Sequence, residues 1–323
     1  MRRFLAGRLL QAVIVVFLVT TITFVLIHLA PGDPIAVSLS RAGVTEEVRA
    51  HERTVYGLDR PIGEQYVRYL GNVSHGELGY SFSFRRPVRD VLAEALPRTI
   101  LLVGLAFVLS FVLGTVVGLI QAARPHGAGD RWLGRLLLLL YSVPDFWLAL
   151  VVLVIFAYRI PLLPPSGIVD PVTHDYMSAS GRIVDRLLHL VLPVATLTLL
   201  TTAVISRQQR SALLEVLPSD WMRTALAKGL GYRAALRRHA FRNALLPTIT
   251  LAGLTLPSLV AGSLFVEKVF GWPGMGLITA NAISSRDYPL LTAGVLITSI
   301  AVSLGTLIAD VAAAAVDPRI RVG

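Results

Sequence analysis

Residues 219–247 read SDWMRTALAKGLGYRAALRRHAFRNALLP, a basic stretch set between two apolar ones, 187–206 and 250–266. Ser219 suits an N-cap, and Asp220 suits the positive end of a helix. Trp221, Met222, Ala225 and Leu226 fall on one face of that helix; Asp220, Arg223, Thr224, Ala227 and Lys228 fall on the other. Gly229 is placed to close it in a left-handed C-cap, with Lys228 in the favourable last turn. Gly231 loosens the chain, and a second helix from about Tyr232 carries Arg233, Arg237, Arg238 and Arg242. Leu246-Pro247 opens the next apolar run, where proline costs little in a first turn. Two turns are too short for a helix to stand alone in water, so the first helix needs a neighbour or a partner. Two readings remain open on these residues: an amphipathic helix held to anionic lipid by its arginines, or a docking knob that fits a groove on another protein.

The surroundings place this stretch at a membrane. Of 323 residues, 54% are hydrophobic and only 15% charged, where soluble domains carry about 25%. Six segments reach the length and apolarity of a membrane helix: 9–30, 99–120, 136–158, 187–206, 244–266 and 290–309. With the N-terminus inside, the inner segments hold 16 Lys and Arg against 5 Asp and Glu, and the outer segments hold 14 of each. The positive-inside rule therefore makes both termini and the 219–247 stretch cytoplasmic. The net charge of +10 follows from this topology and does not call for nucleic acid. The fold class expected is all-α and polytopic. It would be a single membrane domain over 1–323, with an outer loop at 31–98 and a cytoplasmic loop at 207–243.

No cysteine, nucleotide-binding loop, zinc-ligand spacing or Ser/His/Asp arrangement stands in the chain, so neither a metal site nor a catalytic residue is expected. The run VEKVFGWPGMG has three glycines and a proline between Gly271 and Gly276 and cannot stay helical. Gly271, Trp272, Pro273 and Gly274 are the candidates for an outer re-entrant turn closing a pathway. Asp145, after Pro144, is the one carboxylate well inside an expected span and a candidate pathway residue. Pro87 opens an expected helix with Val88, Val91, Leu92, Ala95 and Leu96 on one face, suited to the outer membrane surface. His28 and His189 read as interfacial residues.

The run T-A-x-A-K-G-L followed by R-H-A-x-R-N-A-x-L-P resembles the "EAA" loop of ABC-importer permeases, most closely the dipeptide, oligopeptide and nickel subclass. The matching positions are Ala225, Lys228, Gly229, His239, Arg242, Asn243, Leu246 and Pro247; Thr224 stands where the family's general pattern has Glu. Pro31–Pro34, Gly76–Ser81, Ser142–Phe146, Leu162–Gly167, Val266–Gly276, Arg286–Pro289 and Asp317–Arg321 extend the resemblance over nearly the whole chain. It implies a MetI-like permease fold of type I ABC importers in a bacterial or archaeal inner membrane. Its implied partners are a second, similar permease, two ATP-binding-cassette ATPase subunits, an extracytoplasmic solute-binding protein and membrane lipid. ATP and magnesium would be bound by the ATPases, and this chain would hold no cofactor. It further implies that Asp220, Trp221, Met222, Thr224, Ala225, Leu226, Lys228, Gly229 and Gly231 couple to the ATPase, with Trp221, Met222, Ala225 and Leu226 in its groove. The cargo implied is a peptide or a small solute such as a nickel chelate. A gradient-driven secondary transporter or channel, and a lipid-binding membrane scaffold, are the alternatives.

Overall fold

The computed structural model describes residues 2–29, 54, 59–255 and 262–316. The side chains of residues 2–5, 221, 246, 252, 254 and 308–316 lie outside that description, as do the expected motif at Pro31–Pro34, the middle of the fifth expected span and the terminal Asp317–Arg321. The described chain is helical almost throughout, as a bilayer demands of backbone amides that have no water to bond. Its elements are α1 (Arg2–Leu29), α2 (Ile62–Ser74), a two-residue hairpin of β1 (Tyr80–Ser81) and β2 (Arg86–Pro87), and α3 (Val88–Ala123). Next come α4 (Ala128–Ser142), α5 (Asp145–Leu153), α6 (Ala179–Val216), α7 (Asp220–Ala227), α8 (Tyr232–Ala235) and α9 (Phe241–Thr255). The described chain closes with α10 (Leu264–Val269), α11 (Met275–Ser285) and α12 (Tyr288–Val316).

Four described helices are long and apolar enough to cross a membrane: Ala6–Leu29, Val88–Ala123, Ala179–Val216 and Tyr288–Leu307. A fifth candidate is the pair Ala128–Ser142 and Asp145–Arg159, bent by 104°. The third expected span is thus not one straight helix. The amide-less Pro144 and the extended backbone of Val143 break it, and α5 restarts at Asp145. The separate surface helix expected after Pro87 is also absent. Val88 to Leu96 form the first turns of α3, which runs on through Pro97 for 36 residues. Their apolar face is core: Val88, Val91, Leu92 and Ala95 are at most 3% exposed and pack with Met275, Ile278, Ala282, Leu290 and Ala293. Pairing that stripe with α11 and α12 removes the reason for it to lie on lipid.

Two compact units make up the chain. The first comprises residues 1–99, 260–264 and 273–323, and contains α1, α2, the hairpin, α11 and α12. Its hairpin is tied to the start of α12 by Asp287. This fully buried carboxylate accepts from Ser83 N–H at 2.9 Å and from the Ser81 and Ser83 hydroxyls at 2.5 Å. The second unit comprises residues 100–259 and 265–272, with most of α3 and all of α4–α9. There α3 meets α6 at Gly114 and Gly118. A Cβ on Gly114 would stand 2.7 Å from the Ile205 side chain, and one on Gly118 would stand 2.8 Å from the Ser206 carbonyl oxygen. The G-T-V-V-G spacing thus lets two backbones touch, the small-residue packing used where lipid offers no hydrophobic drive.

Candidate functional site

The short helix after α6 forms as the sequence indicates, with one change at its start. Ser219 holds the extended N-cap conformation, but its hydroxyl donates back to the Val216 carbonyl at 2.7 Å and does not cap a helix amide. The C-terminus is a full Schellman closure. Gly229 sits at φ 86°, its N–H reaches the Leu226 carbonyl at 3.0 Å, and the Leu230 N–H reaches the Ala225 carbonyl at 3.2 Å. Leu230 and Ala225 then pack on the same cluster, the apolar contact that accompanies this cap. Gly231 lies at φ −61° with open space around it, a conformation open to any residue.

Met222 faces inward. It is 2% exposed and lies among Ala122 of α3, Ala212 and Leu213 of α6, and Ala235, Leu236, Ala240 and Ala244 beyond the turn. Met222 and part of Ala225 are therefore occupied by their own chain and cannot fill a partner's groove. The free surface of α7 is Asp220, Arg223, Thr224, Leu226 at 39% exposure and Ala227, followed by Lys228 and Gly229. Asp220 and Arg223 approach to 3.7 Å at nearly full exposure, a pair worth about 0–1 kcal/mol and easily exchanged for other partners. Trp221 belongs to α7, and its side chain lies outside the described residues.

Beneath this knob runs a polar chain that sequence reading missed. Asp130, on the first turn of α4, is 8% exposed and takes a two-pronged contact from Arg210 of α6, with Nε and Nη2 both at 2.8 Å. The Asp130 carboxylate also accepts from the His126 N–H at 2.9 Å and from Gln121 Nε2 at 3.2 Å. Gln121 Oε1 accepts from the Ser206 hydroxyl, and Gln209 Oε1 from Thr248 of α9. These bonds tie α3, α4, α6 and α9 together at the end of the bundle that carries α7. The only hint in the sequence was one acid in the otherwise basic 121–135 segment, and its partner lay 80 residues away.

At the opposite end, Val266–Gly276 leaves the helix as expected. Gly271 stands at φ 58°, with the Trp272 N–H on the Glu267 carbonyl at 2.8 Å. This is the same Schellman pattern that closes α7. Trp272 is 3% exposed, packed with Leu102, Ala106, Leu190 and Val194, and the Phe270 carbonyl accepts from the Gly167 N–H at 2.9 Å. Pro273 and Gly274 lead into α11, with Gly274 in the extended N-cap position. Asp145 is the exposed first residue of α5 and lines a cavity of about 310 Å³ with Tyr141, Thr201 and Thr255; Arg207 lies over the Tyr141 ring. His189, expected as an interfacial residue, is enclosed by its own chain. It is buried beside Asp185, whose carboxylate also holds His174 at 2.6 Å and accepts from the Asp170 N–H at 3.0 Å. Among the described residues no cluster of histidine and carboxylates has a metal-holding arrangement.

A knob with one face bolted to its own bundle and one face bare suits a transporter subunit that meets another protein. Residues 114–322 match the family described as the binding-protein-dependent transport system inner membrane component, and residues 1–103 match its N-terminal companion. The chain belongs to this family. The permease is 37% identical to a putative peptide permease protein of Brucella ovis over the full length of both chains. It is 33% identical to the oligopeptide transport system permease protein of Bacillus subtilis, over 99% of this chain and all of the relative. It is 34% identical to the dipeptide transport system permease protein of Escherichia coli, over 94% of each. The permease is a multi-pass transport subunit and not an enzyme.

Proposed function

We propose that this permease forms half of the translocation pathway of an ATP-driven importer of dipeptides or oligopeptides. It would cross the inner membrane six times with both termini in the cytoplasm. The observation that carries the reading is the cytoplasmic helix α7, capped by Gly229, anchored by Met222 and bare on the Asp220, Arg223, Thr224, Ala227 side. Family membership and the basic excess of the inner segments support it. So do the names of the similar permeases, which favour a peptide over a nickel chelate or another small solute.

In this reading the bare face of α7, with Leu226 at its edge and Lys228, Gly229 and Gly231 following, docks on an ATP-binding-cassette subunit, and Trp221 is assigned to the same contact by its place in the sequence motif. That partner binds ATP and magnesium. A second permease and an extracytoplasmic binding protein complete the assembly. Motion of the ATPases reaches the spans through Met222, which joins α7 to α3 and α6, and through the Asp130–Arg210 contact, which joins α6 to α4. The turn at Gly271, Trp272, Pro273 and Gly274 serves the outer gate, and Asp145 forms part of the pathway wall.

The test is uptake of a labelled dipeptide into cells or proteoliposomes holding the permease with its partners. Uptake should follow ATP and survive collapse of the proton gradient. Thr224→Cys and Ala227→Cys should cross-link to the ATPase subunit. Uptake that follows the gradient, or cysteines at both positions that label only from outside, would overturn the reading. For Asp145, replacement by Asn should lower uptake of peptides with a free ammonium more than that of N-blocked ones; equal uptake of both removes it from the pathway.

A further inference from the structure

The first unit contains two cavities stacked along the same three helices. One is apolar, about 360 Å³, and lies between α1, α2 and α12; Val13, Val16, Phe17, Leu70, Leu296 and Ile300 are among its lining residues. The other is about 320 Å³ and begins one turn further along each of α1 and α12, at Phe24 and Thr292, and at Tyr69 and Asn72 of α2. Its character is different, for Arg60, Arg68 and Glu77 line it together with His28, Gln65 and Tyr69. Arg60 pairs with Glu64, and Gln65 shares a hydrogen bond with His28 at 3.2 Å. Arg68 is exposed. The Tyr69 hydroxyl is buried and makes no hydrogen bond of acceptable geometry; its neighbour Thr292 donates to the Tyr288 and Pro289 carbonyls. Burial holds that phenol above its ordinary pKa and keeps it a donor.

Length, polarity and charge all match one kind of molecule. From Ala12 to His28, and from Leu304 to Tyr288, the lining spans seventeen residues, or about 24 Å of helix. One leaflet with its headgroup layer is roughly 20–22 Å thick. Along the expected spans 9–30 and 290–309 the dry part falls at mid-span and the charged part at one end. Two arginines and a phenol are donors suited to a phosphate diester, and Glu77 offers a carboxylate to an ammonium.

We propose that α1, α2 and α12 form a slot for one phospholipid with an ammonium headgroup. Its phosphate sits at Arg60 and Arg68, its ammonium at Glu77, and one acyl chain lies in the groove between Val16, Phe17, Leu296 and Ile300. The lipid belongs to the outer leaflet, which rests on the orientation proposed above; the slot itself does not. The lipid fills what would otherwise be a void between helices, and it holds α2 on α1 and α12.

The test uses the full permease with its partners in vesicles of phosphatidylethanolamine and phosphatidylglycerol, with a photoactivatable group in the acyl chain of the phosphatidylethanolamine. Labelling should concentrate on residues 12–20 and 296–304 above the level on the exposed Leu105, Val108 and Val112 of α3. Ile300→Trp, which fills the groove, should bring it down to that level. Native mass spectrometry should show one retained phosphatidylethanolamine, and Arg68→Ala should weaken retention roughly tenfold, the size of one charge-assisted hydrogen bond. Equal labelling of the three helices overturns the slot. So does retention that neither substitution changes, or cross-linking of Phe17→Cys to a second permease or to residues 30–53, which would mean that protein fills the groove. Probe confined to one leaflet separates the two claims: labelling from the inner leaflet alone keeps the slot and overturns the orientation.

Discussion

At the scale of single residues, Gly229 and Met222 fix how α7 is held. Gly229→Ala puts a Cβ on a left-handed backbone and should cost about 1 kcal/mol, with Gly231→Ala neutral beside it because Gly231 needs neither φ nor space. Thermal unfolding of the detergent-solubilised permease measures both. Met222→Ala empties a fully packed site and should cost about 2–5 kcal/mol. Ala227→Trp, on the bare face, should leave the unfolding temperature unchanged while abolishing co-purification of the ATPase. If Ala227→Trp also unfolds the chain, the two faces have been misassigned. The Gly229 cap was legible because glycine after a short amphipathic run has few other uses. The inward turn of Met222 was not. Helical periodicity separates two faces but does not say which one meets its own chain, and the covering residues Ala122 and Leu213 are supplied by α3 and α6.

At the scale of elements, two contacts decide whether α3, α4 and α6 move as a block. Asp130→Asn or Arg210→Gln leaves a buried group without its charge partner and should cost about 3 kcal/mol. An exchanged pair, Asp130→Arg with Arg210→Asp, should recover part of that loss if the contact acts as a pair. The informative readout is the ratio of peptide transported to ATP hydrolysed. A merely structural contact lowers both together, whereas one that carries motion lowers transport more. At the helix crossing, Gly118→Ala forces a Cβ against a backbone carbonyl and should cost about 1–3 kcal/mol. Gly104→Ala on the same helix meets nothing within 4 Å and should be silent. The sequence shows a G-x-x-x-G, yet only the structure shows which helix it receives.

At the scale of the whole molecule, apolar length and charge asymmetry were enough to read an all-helical membrane protein, and the loop motif together with the shorter motifs in order along the chain was enough to name the family. Connections between distant segments were not readable. Gly76–Ser81 and Arg286–Pro289 stand out as separate motifs in the sequence, yet Asp287 binds Ser81 directly. That joint forms only when the chain folds back over 206 residues. The elbow at Val143-Pro144 was foreseeable as a break, but its 104° bend was not, because proline forbids a straight helix without choosing the new direction. Asp287→Ala should therefore loosen the hairpin. We expect faster proteolysis at residues 79–87 with α7 and its ATPase contact intact.

The closures of α7 and α10 share one further consequence, for how this chain can vary. Gly229 and Gly271 both lie on the left-handed side of backbone space, where a β-branched or bulky side chain collides with its own carbonyl. A single-base change in a glycine codon yields residues such as alanine, valine, serine or arginine, none of which settles there cheaply. A library randomised at these two codons and selected for uptake should return glycine first and asparagine next, while codon 231 returns a broad mixture. The two turns, which pack near opposite ends of α6, would then leave matching gaps in the spectrum of surviving variants.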